Sequence, residues 1–164
     1  MQHVQPRSTT SALVLTAVLI ALTTLFTMYT KIPVPGIRGY FNVGDVVIMT
    51  SALLLGRKYG AYIGAIGPAL ADLFLGYAVF VPITFVVKGI EGYLVGTVYN
   101  HKTTTSALVA TILGGIIIVA GYFIAEYFVF DPGVAIASIL TNAIQAVMSV
   151  IISMILYAIL RRRL

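Results

Sequence analysis

Residues 134–160 read VAIASILTNAIQAVMSVIISMILYAIL, and Arg161-Arg162-Arg163 follow at once. No charge interrupts the run. A helix that crosses a bilayer needs roughly 20 apolar residues, so this stretch is long enough to span. Its polar side chains are not scattered. Ser138, Thr141, Asn142, Gln145 and Ser149 recur at intervals of three and four, which places them on one stripe of a helix. A helix that is apolar elsewhere and polar along one stripe belongs at the inner side of a membrane bundle.

The rest of the chain agrees. Of 164 residues, 60% are hydrophobic and 9% charged, where a soluble domain carries about 25% charged residues. A soluble fold of this length would lack the polar surface to cover its core. Further apolar runs cover residues 11–30, 43–55, 59–75, 79–99 and 106–128. Together with 134–160 they predict an all-α membrane protein, a bundle of six transmembrane helices forming a single domain over residues 1–164. The first run is longer than the h-region of a cleavable signal, about 7–15 residues, and reads as a true span. The second is short for an upright crossing and predicts tilt or local thinning of the bilayer.

Short connections force successive spans to alternate in direction. With the N-terminus inside, Arg7, Arg57, Lys58, Lys102 and Arg161, Arg162 and Arg163 fall on the cytoplasmic side, and Lys31 and Arg38 outside. The positive-inside rule therefore predicts that both termini are cytoplasmic. The net charge of +5 reads as this topology signal rather than as a nucleic-acid surface. There is no cysteine, which excludes thiolate metal sites and cysteine nucleophiles. His3 and His101 form no metal-ligand spacing, so no metal and no cofactor are expected. No Gly-rich phosphate loop is present, so any ATP hydrolysis must come from partner subunits.

Ionisable groups within spans are costly and point to function. Asp72, Lys88 and Glu91, with Asn142 and Gln145, converge from several spans on the outer half of the membrane. They predict a substrate cavity, with Tyr40, Phe41, Asn42 and Tyr77 near its mouth. Residues 31–42, the longest outer connection, form the natural lid, with Pro33, Pro35, Gly36 and Gly39 shaping it. Structural roles compete with these. Lys88 and Glu91, three apart, can pair with each other. Asp72 and Lys88 can form an ion pair between spans. Asn142 and Gln145 can serve as interhelical glue, and Tyr40 and Phe41 as an interfacial aromatic belt. Asp45 reads as an N-terminal helix cap, and Glu126 and Asp131 as wet interfacial carboxylates. Small residues four apart (Ala17 and Ala21, Gly60 and Gly64, Gly92 and Gly96) mark close helix contacts.

Gly39-Tyr40-Phe41-Asn42-Val43-Gly44-Asp45, Ala71-Asp72-Leu73 and Lys88-Gly89-Ile90-Glu91-Gly92 carry a resemblance, joined by Ala17-Val18-Leu19-Ile20-Ala21 in the first span. With them the chain resembles the substrate-binding S components of energy-coupling factor (ECF) vitamin transporters, of the riboflavin type. The whole chain is covered, the last two spans in general character only. The resemblance implies capture of a vitamin or precursor at the outer face of a prokaryotic cell membrane. It also implies docking on a membrane coupling subunit that carries two ATP-binding-cassette ATPases, followed by toppling and inward release. In that scheme Ala17 and Ala21 face the coupling subunit, and residues 31–42 gate the site. Pyridoxine, hydroxymethylpyrimidine and riboflavin-like rings all suit the mixed donors and acceptors. A stand-alone proton-coupled carrier using Asp72, Lys88 and Glu91 is the competing reading. An intramembrane enzyme finds no catalytic set in the sequence.

Overall fold

A computed structural model describes residues 9–33, 40–100 and 103–161. Pro35, Gly36 and Gly39 of the expected gating loop lie outside these residues. Within them the order is α1 (Thr9–Tyr29), β1 (Ile32–Pro33), β2 (Tyr40–Phe41), α2 (Asp45–Leu55), α3 (Arg57–Phe74), α4 (Phe80–Val98), α5 (Thr104–Val129) and α6 (Pro132–Arg161). The connection after α1 departs from a purely helical chain. Ile32 pairs with Phe41 and Pro33 with Tyr40 in a short antiparallel ribbon.

Among the described residues, four helices are long and apolar enough to cross a membrane: Thr10–Tyr29, Phe80–Val98, Thr104–Val129 and Pro132–Arg161. The other two fall short for different reasons. Arg57, Lys58, Asp72 and several glycines lower the apolarity of α3. The shortness of α2 goes with its enclosure by the other helices. Apart from Leu54, every residue of α2 is buried, and α2 touches all five other helices. At ~1.5 Å per residue it rises about 16 Å, roughly half of a ~30 Å hydrocarbon layer. It is a central post surrounded by protein. Gly56, at a positive φ of 88°, turns the chain sharply into α3.

The end beneath α2 is apolar and tightly filled. Met49 and Leu53 pack with Val95, Ala107, Ala110, Ile118 and Ala146. Tyr99 and Tyr157 meet there through their hydroxyls. α5 starts from a cap in which the Thr103 hydroxyl accepts from the Ser106 amide (3.1 Å), the side-chain capping that spares an orphan donor.

The α3–α4 crossing holds the site in place. A Cβ on Gly60 would stand 2.6 Å from the Gly92 carbonyl oxygen, and a Cβ on Gly64 or Gly92 would overlap the facing backbone of Lys88 or Gly60. The two backbones thus touch, which small residues alone permit. The glycines spaced at four are core packing, and they fix the height of Lys88 and Glu91 against α3. α1 is tied to α3 through the Thr24 hydroxyl, which donates to the Gly67 carbonyl (2.9 Å).

Candidate functional site

Above α2, toward the ribbon, lies a small, tightly walled cavity of about 40 Å³. Every helix except α2 contributes to its wall. Thr27 enters from α1, Pro68 and Asp72 from α3, and Phe80, Thr84 and Lys88 from α4. Tyr122 and Glu126 come from α5, and Ser138, Asn142 and Gln145 from α6. Tyr40 and Asn42, at the end of the ribbon, complete it.

The floor is an ion cluster. Lys88 is 1% exposed, and its ammonium lies 2.5 Å from Asp45 Oδ1 and 3.4 Å from Glu91 Oε2. Gln145 joins three elements. Its Nε2 donates to Asp45 Oδ2 (2.7 Å), and its Oε1 accepts from the Asn42 amide (3.0 Å). Asn42 Oδ1 in turn accepts from the Gly44 amide (2.9 Å). The entry to α2, the end of the ribbon and the middle of α6 are therefore locked together around Asp45.

This overturns the reading of Asp45 as a helix cap. Gly44 occupies the cap position, and no side chain caps the helix. A Cβ on Gly44 would collide with the Thr27 hydroxyl, so a glycine stands there. Asp45, the first residue of the helix, turns into the bundle instead and is 0% exposed. Its partners lie 43 and 100 positions along the chain. The Asp72–Lys88 ion pair weighed from sequence is not formed. Lys88 pairs with Asp45 and Glu91, and Asp72 accepts from the Tyr40 hydroxyl (2.6 Å).

Tyr40 closes the mouth. Its ring lies 5.0 Å from that of Tyr77, and the Lys31 ammonium stands 4.7 Å from the Tyr77 centroid. Burial, with the neighbouring Asp72 carboxylate, pushes the Tyr40 phenol far above its ordinary value. It therefore remains a hydrogen-bond donor to Asp72 at any physiological pH. Tyr40→Phe should remove this tie, a bond to a carboxylate being worth about 1.5–3 kcal/mol. Faster amide exchange at Phe41 and Asn42 is the expected result. Unchanged exchange would mean that the ribbon is held without it.

Of the residues expected from sequence, Tyr40, Asn42, Asp72, Lys88, Asn142 and Gln145 meet at this cavity. Phe41, Tyr77 and Glu91 are not among its lining. Phe41 sits in β2, Tyr77 backs Tyr40, and Glu91 lies beneath Lys88 at 0% exposure. Glu126, read as interfacial, is buried and accepts from the Ser138 hydroxyl. Thr84, whose hydroxyl is 3.0 Å from that of Tyr122, carried no sequence signal, since a threonine among apolar residues is unremarkable. Ala17 and Ala21 are exposed on α1, away from the cavity.

Residues 7–162 match the family described as ECF-type riboflavin transporter, S component. The chain is 41% identical over 144 residues to a Pyrococcus woesei protein described as an uncharacterized protein in the gap 3' region, covering 86% of this chain and 95% of that one. It is 28% identical over 151 residues to the thiamine precursor transporter HmpT of Lactococcus lactis, covering 92% and 87%. The S component of a bacterial ECF transporter superposes with a TM-score of 0.73 at 19% identity, over 94% of this chain and 98% of that one. The S component for biotin from an ECF-type ABC transporter gives 0.60 at 20% identity, over 91% and 94%. At these identities the two structures speak for the fold alone.

Proposed function

This chain belongs to the family of ECF-type riboflavin transporter S components, and from that membership we propose that it captures a vitamin or vitamin precursor in the cavity above α2. The family makes it an integral membrane protein of a transporter and not an enzyme. The observation that carries the substrate role is the cavity itself. It is a buried polar chamber, roofed by Tyr40, in an otherwise apolar bundle.

In this reading Tyr40, Asn42, Asp72, Lys88, Asn142 and Gln145 touch the ligand. Phe41, Tyr77 and Glu91 support them from behind, and the ribbon with its connecting loop is the gate. All six helices act as spans, α2 as the one enclosed by the others. The ribbon end faces outward and both termini face the cytoplasm. In support, Arg57, Lys58 and Arg161 lie at the end of the bundle away from the ribbon, while Lys31 adjoins the ribbon. The substrate is a heteroaromatic of the size of pyridoxine, hydroxymethylpyrimidine or riboflavin. The similarity to a thiamine precursor transporter favours the smaller of these.

Inward delivery requires an ATP-driven partner, a coupling subunit with two ABC ATPases. Ala17 and Ala21 offer it a shallow strip on α1, flanked by exposed Leu13, Val14 and Val18. Small residues let a partner helix approach closely. Replacing both alanines with tryptophan should leave ligand affinity within about twofold while reducing module-dependent uptake by about tenfold or more. Loss of binding in that variant would place the strip in the bundle's own packing. Copurification with the coupling module, and native mass spectrometry of ligands retained by the purified chain, test the assignment directly. A chain that neither retains a vitamin nor associates with the module would defeat it.

A further inference from the structure

The chain has five acidic residues, and four of them, Asp45, Asp72, Glu91 and Glu126, are buried at the cavity or directly beneath it. One base, Lys88, stands against them, and its ammonium is already committed to Asp45 and Glu91. Asp72 and Glu126 have no basic partner within ion-pair distance among the described residues. Their hydrogen bonds come from the neutral hydroxyls of Tyr40 and Thr84 for Asp72 and of Ser138 for Glu126, which satisfy oxygens without cancelling charge. Even the lysine cluster is formally one negative charge in excess. Uncompensated buried charge is strongly unfavourable in a membrane interior, so a cation is stabilised where it enters beside Asp72 and Glu126, the two carboxyl groups that line the cavity.

Two independent features point the same way. The Thr27 hydroxyl lines the cavity, is 1% exposed and has no hydrogen-bond partner. It can accept from a ligand N–H. The aromatic wall of Tyr40, Phe80 and Tyr122 offers ring faces, which attract cations. Tyr122 already does so toward Lys88, whose ammonium is 5.5 Å from the ring centroid. Lys31 is the other base nearby, and it lies over Tyr77 and Tyr40 rather than in the cavity lining.

We propose that the cavity selects a small, flat nitrogen heterocycle bearing an amino group or a protonated ring nitrogen, with Asp72 and Glu126 as its charge partners, and rejects carboxylate- and phosphate-bearing vitamins. This rests on the reading that the cavity holds the transported ligand. A carboxylate or phosphate would bring negative charge beside two carboxylates, with the lysine already engaged. Specificity then comes as much from repulsion as from attraction.

The test is calorimetric titration of the purified full chain with matched probes. One pair is 4-amino-5-hydroxymethyl-2-methylpyrimidine and its 4-oxo analogue. Riboflavin, flavin mononucleotide and biotin provide neutral and anionic comparisons. The aminopyrimidine should bind at least about tenfold more tightly than the oxo analogue. Asp72→Asn and Glu126→Gln should each weaken the amine about tenfold more than they weaken the oxo analogue. If either variant fails to fold, the probe series on the unaltered protein decides alone. Tightest binding by riboflavin or an anionic vitamin overturns the charge inference while leaving the transport role intact. Binding of no vitamin, with no uptake on the coupling module, removes the transport reading and this inference with it.

Discussion

Lys88→Met is expected to destabilise the protein by about 3–5 kcal/mol, the usual consequence of stripping one partner from a buried ion pair. The ammonium is the single cation between Asp45 and Glu91, both 0% exposed. Without it two carboxylates face each other in the bundle interior, and the Gln145 bridge that orders Asn42 loses its charged anchor. A large fall in the thermal unfolding midpoint in detergent should appear together with loss of ligand binding. The double variant Lys88→Met/Asp45→Asn separates the causes. Removing the charge on both sides of a buried pair is often close to neutral for stability, so the midpoint should recover in part, Glu91 still lacking its cation. Binding should stay impaired, because Lys88 forms part of the cavity floor. A single variant as stable as the parent would show that the cluster bears no structural weight.

The second large effect is expected at the α3–α4 crossing. Gly92→Ala places a methyl group into the Gly60 carbonyl, which is backbone and cannot rotate away. Overpacking usually costs about 1–3 kcal/mol. The effect here should reach the upper end or beyond, because the helices must separate. Gly89→Ala is the matched control on the same helix. Its Cβ would stand 3.2 Å from the Ala65 Cβ, a contact that a small shift relieves. Since Lys88 adjoins Gly89 and Glu91 adjoins Gly92, the Gly92 variant should lose ligand affinity along with stability, and the Gly89 variant should keep both. Equal tolerance of the two would contradict the backbone contact.

Much of this was legible in the sequence. The long helices follow from apolar length alone, and the polar stripe on α6 follows from its spacing. Ser138, Asn142 and Gln145 do reach the cavity. α2 was harder to read. The apolar run 43–55 looks like a deficient span, because nothing local says that other helices enclose it. Asp45 misleads for the same reason. Next to Gly44 at a helix start it has the signature of a cap, and only Lys88 and Gln145, distant in sequence, reveal its role. Glu126 is likewise decided by a neighbour on another helix, Ser138. Tyr77 and Phe41 sit close to the mouth in sequence, but the ribbon directs Tyr40 inward and leaves Tyr77 behind it. Local patterns report helix length and facing; ion clusters are made by tertiary contacts between segments far apart along the chain.

The most direct test of the central claim is uptake in proteoliposomes, with this chain reconstituted alone and with an ECF coupling module and internal ATP. The account predicts high-affinity binding by the chain alone without accumulation, and accumulation only when module and ATP are both present. Accumulation by the chain alone, driven by a proton gradient and abolished by Asp72→Asn or Glu91→Gln, would contradict it and identify a self-sufficient carrier.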